Sequence, residues 1–211
     1  MMKPKAIGVI IAILLLYVFS IILVLLGPPA VNLFDLLERL FAIIGIITLF
    51  IASMMTPFQR QLYKIFDQSF TKIHHFFSIS GLVIITLHPI IIAINSIDLT
   101  VFLPDFQNFW ATAGRPSLVI FYITFATALF RNKSVLPKYW KYIHWFNYLA
   151  LTLGVIHANL IGTDVMTSFP LFLLLNILLV ISWAVLLYKR YEAYQRKQRL
   201  LKRKEKRETD S

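Results

Sequence analysis

The sequence predicts an all-α integral membrane protein, a bundle of six transmembrane helices with both termini in the cytoplasm. Of its 211 residues, 58% are hydrophobic and only 15% are charged, and the mean hydropathy is +0.73. A water-soluble domain of this size has too small an interior to bury so much apolar surface. Six apolar stretches and the placement of the basic residues between them predict the number of helices and their orientation.

The six stretches contain no Asp, Glu, Lys or Arg. They are 6–26, 40–57, 74–94, 116–130, 142–161 and 168–188. A spanning helix needs about 20 apolar residues, with a range of roughly 17–25, and five stretches reach that length. The fourth is short, so we expect Arg115 and Arg131 to extend from its two ends toward the interfaces. Pro116 suits the first turn of this helix.

The first stretch follows Lys3 and Lys5 and could be taken for a signal peptide. It is longer than the roughly 7–15 apolar residues of a signal sequence, and no cleavage site of small residues follows it. We therefore expect a retained anchor, with residues 1–35 forming this helix and an outer loop.

The basic residues set the orientation. All 21 except Arg39 and Arg115 lie before the first stretch, between the second and third, between the fourth and fifth, or after the sixth. Positive charge is retained in the cytoplasm, so the sequence predicts six spans, two cytoplasmic termini and a plasma or inner membrane location.

Residues 189–211 form a basic tail with ten basic and four acidic residues. We predict a helical extension of the sixth span. It has two interpretations: a topology anchor lying against anionic lipid headgroups, or a docking surface for an acidic soluble partner. Nothing else in the sequence indicates nucleic-acid binding.

Composition also excludes several classes of site. The chain has no cysteine, which excludes disulfides, thiolate zinc sites, iron–sulfur clusters and covalently attached haem. None of its seven glycines forms a GxGxxG motif, so no dinucleotide-binding fold is predicted.

Five histidines lie in or at the edge of the third and fifth stretches: His74, His75, His88, His144 and His157. An ionisable residue inside a span is a functional candidate, because burying it in hydrocarbon is unfavourable. Separations of 14 and 13 residues place one imidazole of each helix near each membrane surface, about 20 Å apart. Because both helices run outward, His74 pairs with His144 near the cytoplasm and His88 pairs with His157 near the outside.

Two stacked histidine pairs match two b-type haems, each with both axial positions filled by neutral imidazole. Zinc or copper transport would need clustered ligands, often with carboxylates or sulfur, and a proton relay would need carboxylates in the spans. The six stretches contain no Asp, Glu or Cys. The pattern therefore favours haem.

Helical periodicity leaves two points open. Fourteen residues return to within about 40° of the same face, whereas thirteen miss it by about 140°. Gly154 could permit a local distortion or a closer approach of haem; otherwise the two haems sit on different sides of the fifth helix. His75 and His88 have the same separation as His144 and His157, so spacing alone does not choose between His74 and His75.

Two segments resemble a known family. HHFFSISGLVIITLHP (74–89) and LPKYWKYIHWFNYLALTLGVIH (136–157) are similar to the ferric reductase-like transmembrane domain. That domain occurs in ferric reductases, in NADPH oxidases and in the haem-binding membrane subunit of the bacterial methionine-sulfoxide reductase system. The closest similarity is to this last, small type. Trp140 with His144, followed by Tyr148 and His157, resembles its fifth helix, and the Gly-Arg-Pro at 114–116 resembles the start of its fourth.

The resemblance covers roughly residues 40–190, so it implies a haem-binding domain over 36–188. In the family both of these histidine spacings are usual, which favours His74 over His75 as ligand. The sulfoxide-reductase subunits commonly have arginine where His74 stands, and this chain is instead similar to the two-haem ferric reductases and oxidases there. The subgroup stays open.

The resemblance implies transmembrane electron transfer through two b-type haems, with this chain as the haem-carrying subunit of an oxidoreductase. The tail 189–211 is far too short for a flavin domain, so we expect electrons from a separate cytoplasmic flavin reductase carrying FMN or FAD, or from a quinol. The expected acceptor is a metal ion or a protein on the outer side. A quinone- or ascorbate-linked dihaem cytochrome b is an alternative. So is a non-redox scaffold or small transporter whose histidines only bridge helices.

Several flanking residues are candidates for contact with haem propionates. Arg115 lies on the outer side, where positive charge has no topological reason to be. Lys72, Lys141 and His75 lie at the inner boundary, where charge-assisted hydrogen bonds to propionates and ordinary interfacial placement are both open.

Overall fold

The computed structural model describes residues 3–103, 105–130 and 139–209, and the regular structure within these ranges is helical, with no strand. The α-helices are α1 (Pro4–Leu25), α2 (Leu33–Met55), α3 (Gln59–Phe66), α4 (Phe70–Ser96), α5 (Gly114–Leu129), α6 (Trp140–Ile161), α7 (Thr163–Thr167) and α8 (Phe169–Thr209). Short 3₁₀ turns occupy Thr56–Phe58 and Leu99–Phe102. Three of the predicted inner charges, Arg131, Lys133 and Lys138, lie outside the described residues.

Each of the six predicted apolar stretches forms a helix, and several of these helices are compatible with a membrane bundle. By length and hydropathy, α1, α2 together with α3, α4 and α8 could each cross a bilayer. Helix α5 has 16 residues, or about 24 Å, which is shorter than the roughly 30 Å hydrocarbon core. Helix α6 has 22 residues but carries Lys141, His144 and Asn147, which lower its hydropathy.

Helix α2 is the centre of the bundle. Ile47 and Phe50 on α2 are fully buried, and α2 packs against α1, α4, α6 and α8. Its start is capped by Asn32, whose side chain accepts a hydrogen bond from the Asp35 amide at 2.9 Å. The connection to α4 turns at Asp67, which has a positive φ of 51°.

The bundle contains two closely packed antiparallel helix pairs. Helices α2 and α4 approach closely where each has a glycine: Gly45 lies against the backbone of Ile85, and Gly81 lies against Leu49. Helices α5 and α6 form the second pair, in which the Ser117 hydroxyl donates to the carbonyl of Ala150 at 2.7 Å.

Helix α8 continues without a break for 41 residues, a length of about 62 Å. The predicted helical extension of the last apolar stretch is therefore confirmed as far as Thr209. Near its middle, the Arg190 guanidinium lies 3.5 Å from the ring centroid of Trp145 on α6.

The close approach of α2 and α4 gives a stability prediction. In Gly45→Ala the new Cβ would lie 2.7–2.9 Å from Ile85, so the helices must separate. We expect a loss of about 1–3 kcal/mol in the free energy of unfolding in detergent. The matched control is Gly8→Ala, since no atom lies within 4 Å of the added Cβ on α1, and alanine is the better helix former. Equal effects of the two variants would contradict this packing.

Candidate functional site

The two predicted ligands on α4 are held by backbone carbonyls of α2. His74 Nδ1 lies 3.1 Å from the carbonyl oxygen of Ala52, and His88 Nδ1 lies 2.9 Å from that of Glu38. A carbonyl oxygen can only accept, so Nδ1 donates in both bonds. In the neutral imidazole this leaves the Nε2 lone pair free for a ligand. The two carbonyls have the same separation along α2 as the two histidines have along α4.

The second helix pair repeats this arrangement. His157 Nδ1 lies 2.6 Å from the carbonyl oxygen of Ala111, and His144 hydrogen-bonds to the backbone of Thr124. These two partners have the same separation along the chain as the two histidines have along α6. The 13-residue spacing of His144 and His157 therefore follows from the antiparallel alignment of α6 with the segment that carries Thr124 and Ala111. The two histidines need not lie on the same face of α6. Ala111 lies before α5 begins at Gly114, so the outer histidine is held by a loop.

The histidines also meet across the two helix pairs. The ring centroids of His74 and His144 are 6.0 Å apart, with their planes at 69°. At the other end, His88 and His157 are within electrostatic reach of each other. The predicted pairing of His74 with His144 therefore corresponds to neighbouring rings in the fold.

The structure distinguishes His74 from His75 by position. His74 is half-buried and bonded to Ala52, whereas the adjacent His75 is exposed. The centroids of the His74 and His75 rings are 6.3 Å apart. His75 therefore lies next to the pair formed by His74 and His144 without being part of it.

Glycine and arginine flank the outer pair. A Cβ at Gly114 would lie 2.7 Å from His157 Cδ2, so a glycine here leaves room for the ring. The Arg115 guanidinium donates to the carbonyl of Leu103 and is within electrostatic reach of His157. Arg115 therefore lies beside the outer pair, where it could meet a carboxylate.

Of the two roles predicted for Gly154 between His144 and His157, a local distortion does not occur, and a closer approach of haem stays a prediction. Helix α6 is α-helical throughout, so no local distortion occurs there. A Cβ at Gly154 would lie 3.3 Å from Ile46 and 3.5 Å from Ser117, which places this glycine against α2 and α5. Its small size serves helix packing.

The inner boundary is basic and aromatic. Lys72 Nζ donates to the side-chain oxygen of Gln68 at 3.3 Å, and Lys141 Nζ lies 5.9 Å from the Trp140 ring centroid. The Trp140 centroid lies 6.1 Å from that of His144. Both lysines are exposed, so they remain accessible to lipid headgroups or to a bound carboxylate.

Sequence analysis missed a buried ion pair. Arg39 and Asp164 are only 8% and 4% exposed, and Arg39 Nε donates to Asp164 Oδ2 at 2.8 Å, with a second bond from Nη2 to Oδ1. Nη2 also lies 3.4 Å from the carbonyl oxygen of Val24 at the end of α1. The pair joins α1, α2 and α7 beside Glu38, whose carbonyl holds His88. No local signal reveals it, because the two partners lie in distant parts of the sequence.

The histidine pairs can be compared with the donor sets that metal ions and haem need. Among the described residues there is no group of three or more His, Cys, Asp or Glu side chains that could hold a metal ion. A zinc or copper site needs three or four protein ligands. A porphyrin supplies four ligands itself, so an axially ligated haem iron needs only two imidazoles.

No protein-family model, curated protein or solved structure matches this chain. The ferric reductase-like assignment therefore stays a prediction that rests on the quoted segments.

The buried ion pair gives the second prediction. Asp164→Ala leaves the Arg39 charge buried without its partner, so we expect a loss of about 3–5 kcal/mol in the free energy of unfolding. Asp67→Asn is the control, because asparagine tolerates the positive φ at this position while the charge is removed. The pair of Asp67 with Lys3 is 68% and 48% exposed, and such pairs contribute under about 1 kcal/mol. Denaturant unfolding in detergent measures both. A small loss in Asp164→Ala would contradict the structural importance of the pair.

Proposed function

We propose that this protein transfers electrons across a membrane through two b-type haems. His74 and His144 would hold one haem near the cytoplasmic side, and His88 and His157 would hold the other near the outer side. The observation that carries the proposal is the pairing of half-buried histidines across α4 and α6, with backbone hydrogen bonds on their other side.

Haem would supply reversible one-electron chemistry, and the chain would position it. Two imidazoles would hold each haem iron, and a haem held in this way would carry out outer-sphere electron transfer. The carbonyls of Ala52, Glu38 and Ala111 fix the orientation of their histidines. Such bonds also raise the basicity of a ligating imidazole. Arg115 offers a hydrogen-bond donor for a propionate beside the outer pair.

The proposal includes six spans with both termini cytoplasmic, in a plasma or inner membrane. Contacts between the predicted inner segments support it. Lys3 Nζ lies 2.7 Å from Asp67 Oδ1 in the α3–α4 connection, and Arg190 stacks on Trp145 near the start of α6. The predicted outer segments are also joined, since the Asn32 and Asn95 side chains lie 3.3 Å apart.

The expected donor is a cytoplasmic flavin reductase with FMN or FAD, or a quinol. The expected acceptor is a metal ion or a protein on the outer side. The ferric reductase-like resemblance supports this assignment, and the subgroup stays open. A quinone- or ascorbate-linked dihaem cytochrome b would use the same two histidine pairs and differ only in its donor.

A non-redox scaffold is the second candidate, and one observation favours it. The same carbonyl hydrogen bonds that would orient ligands also give the Nδ1 atoms of His74, His88 and His157 a partner without any cofactor. In that case the histidines only bridge neighbouring helices.

Haem content separates the two candidates. Protein purified after expression with sufficient haem should show a low-spin b-type reduced-minus-oxidised spectrum with about two haems per chain. His74→Ala and His88→Ala should each lose one haem, because each removes one axial ligand. His75→Ala is the matched control and should keep both. A colourless wild-type protein would exclude the electron-transfer proposal and leave the scaffold.

The proposed orientation is testable because the chain has no cysteine of its own. Single cysteines at three exposed positions would report on which side of the membrane each segment lies. Gln61 tests the connection between α2 and α4, Met166 the connection between α6 and α8, and Ala193 the tail. In intact cells a membrane-impermeant maleimide should label Met166→Cys. The variants Gln61→Cys and Ala193→Cys should react only after permeabilisation. Labelling of Ala193→Cys from outside would refute the cytoplasmic C-terminus.

A further inference from the structure

We propose that the end of α8, residues 196–209, is a docking surface for an acidic soluble electron-donor protein. We refer to these residues as the distal α8 segment. The proposal rests on the electron-transfer function above and names the chemistry of the donor.

The first step is the length of α8. About 20 residues cross the hydrocarbon core, so a span that begins at Phe169 ends near Tyr188. The unbroken helix from Lys189 to Thr209 then extends about 30 Å further. Attraction to anionic headgroups decays within a Debye length of about 8 Å. Because α8 does not bend back, the distal α8 segment leads away from the headgroups, and the interpretation as a headgroup anchor fits only the first turns after Tyr188.

The second step is the chemistry of the distal α8 segment. Leu200 and Leu201 are 60% and 43% exposed, on the part of α8 that lies beyond the proposed span. Lys197, Arg199 and Lys202 surround them on the same turns. Like charges three or four residues apart disfavour an isolated helix. An acidic surface with an apolar contact would neutralise the cations and cover the leucines.

A second copy of α8 fits less well than an acidic protein. Self-association over Leu200 and Leu201 would place the lysines and arginines of one copy against those of the other, and such like-charge contacts are strongly unfavourable. Glu192 is already engaged by Lys189 at 2.9 Å and by Arg196 at 2.6 Å. Within the distal α8 segment, eight basic residues stand against two acidic ones, Glu205 and Glu208, so two copies would not neutralise each other.

The third step is location. Helix α8 packs on α6, where Arg190 contacts Trp145, the residue after His144. A protein seated on the distal α8 segment therefore lies on the side of the bundle that carries the His74 and His144 pair. Complementary charge at such a place increases the rate of encounter by about 10–1,000-fold.

The test uses the full chain in nanodiscs of phosphatidylcholine. Photoreduced flavodoxin, a small acidic FMN protein, is the probe donor, and free reduced FMN is the reference that has no protein surface. Each fully reduced flavin is oxidised by one electron for each ferric haem iron that becomes ferrous. In Lys197→Glu/Lys202→Glu we expect the second-order rate with flavodoxin to fall about 10–100-fold, with the FMN rate unchanged.

The matched control is Arg60→Glu/Lys64→Glu, which reverses two exposed charges of the same predicted side on α3. It should leave the flavodoxin rate within about twofold of wild type, because those charges lie outside the proposed surface. Equal losses in the two double variants, or no loss in either, would overturn the proposal. Maleimide labelling of Ala193→Cys in the same backgrounds verifies that the charge changes have not inverted the protein.

Two further measurements keep docking separate from haem chemistry. Binding of oxidised flavodoxin needs no haem, so its loss in Lys197→Glu/Lys202→Glu supports docking even if the protein is colourless. Leu200→Ser/Leu201→Ser keeps every charge and should weaken binding about tenfold, since the apolar contact is lost. If phosphatidylglycerol in the nanodisc abolishes flavodoxin binding to the wild type, headgroups occupy the segment and the docking proposal is wrong.

Discussion

The hydrogen bond from a histidine Nδ1 to a backbone carbonyl of the neighbouring helix is the interaction on which the candidate site depends. An imidazole among apolar helices must find a partner inside the protein, because hydrocarbon offers none. Helix α2 supplies two such partners, at Ala52 and Glu38, and the segment around α5 supplies the others. The same bonds that stabilise the bundle hold the other ring nitrogen ready for a ligand.

These bonds need a constant register along each helix pair. Gly45 and Gly81 bring α2 and α4 together between the two histidines of α4, so the contacts with Ala52 and Glu38 form together. At the outer end, the ion pair of Arg39 with Asp164 fixes the turn of α2 that carries the Glu38 carbonyl. The glycine contacts between α2 and α4 and the Arg39–Asp164 ion pair therefore determine the positions of the imidazole rings, although neither touches them.

The two ends of the bundle differ in character. The end that carries His74 and His144 is basic and aromatic, with Arg190 on Trp145 and an extended α8 beyond it. The outer end balances Arg39 against acids and places Arg115 beside His157. The two ends therefore differ in the charge that they present.

The sequence by itself determined the all-helical class, the apolar helices that are compatible with a membrane bundle, the helical tail and the proximity of His74 to His144. These follow from hydropathy, helical rise and charge, which are local properties. Only the tertiary structure decided the carbonyl partners of the histidines, the packing role of Gly154 and the pairing of Arg39 with Asp164. Each depends on which residues of distant segments meet, and hydropathy and periodicity do not encode the register between two helices.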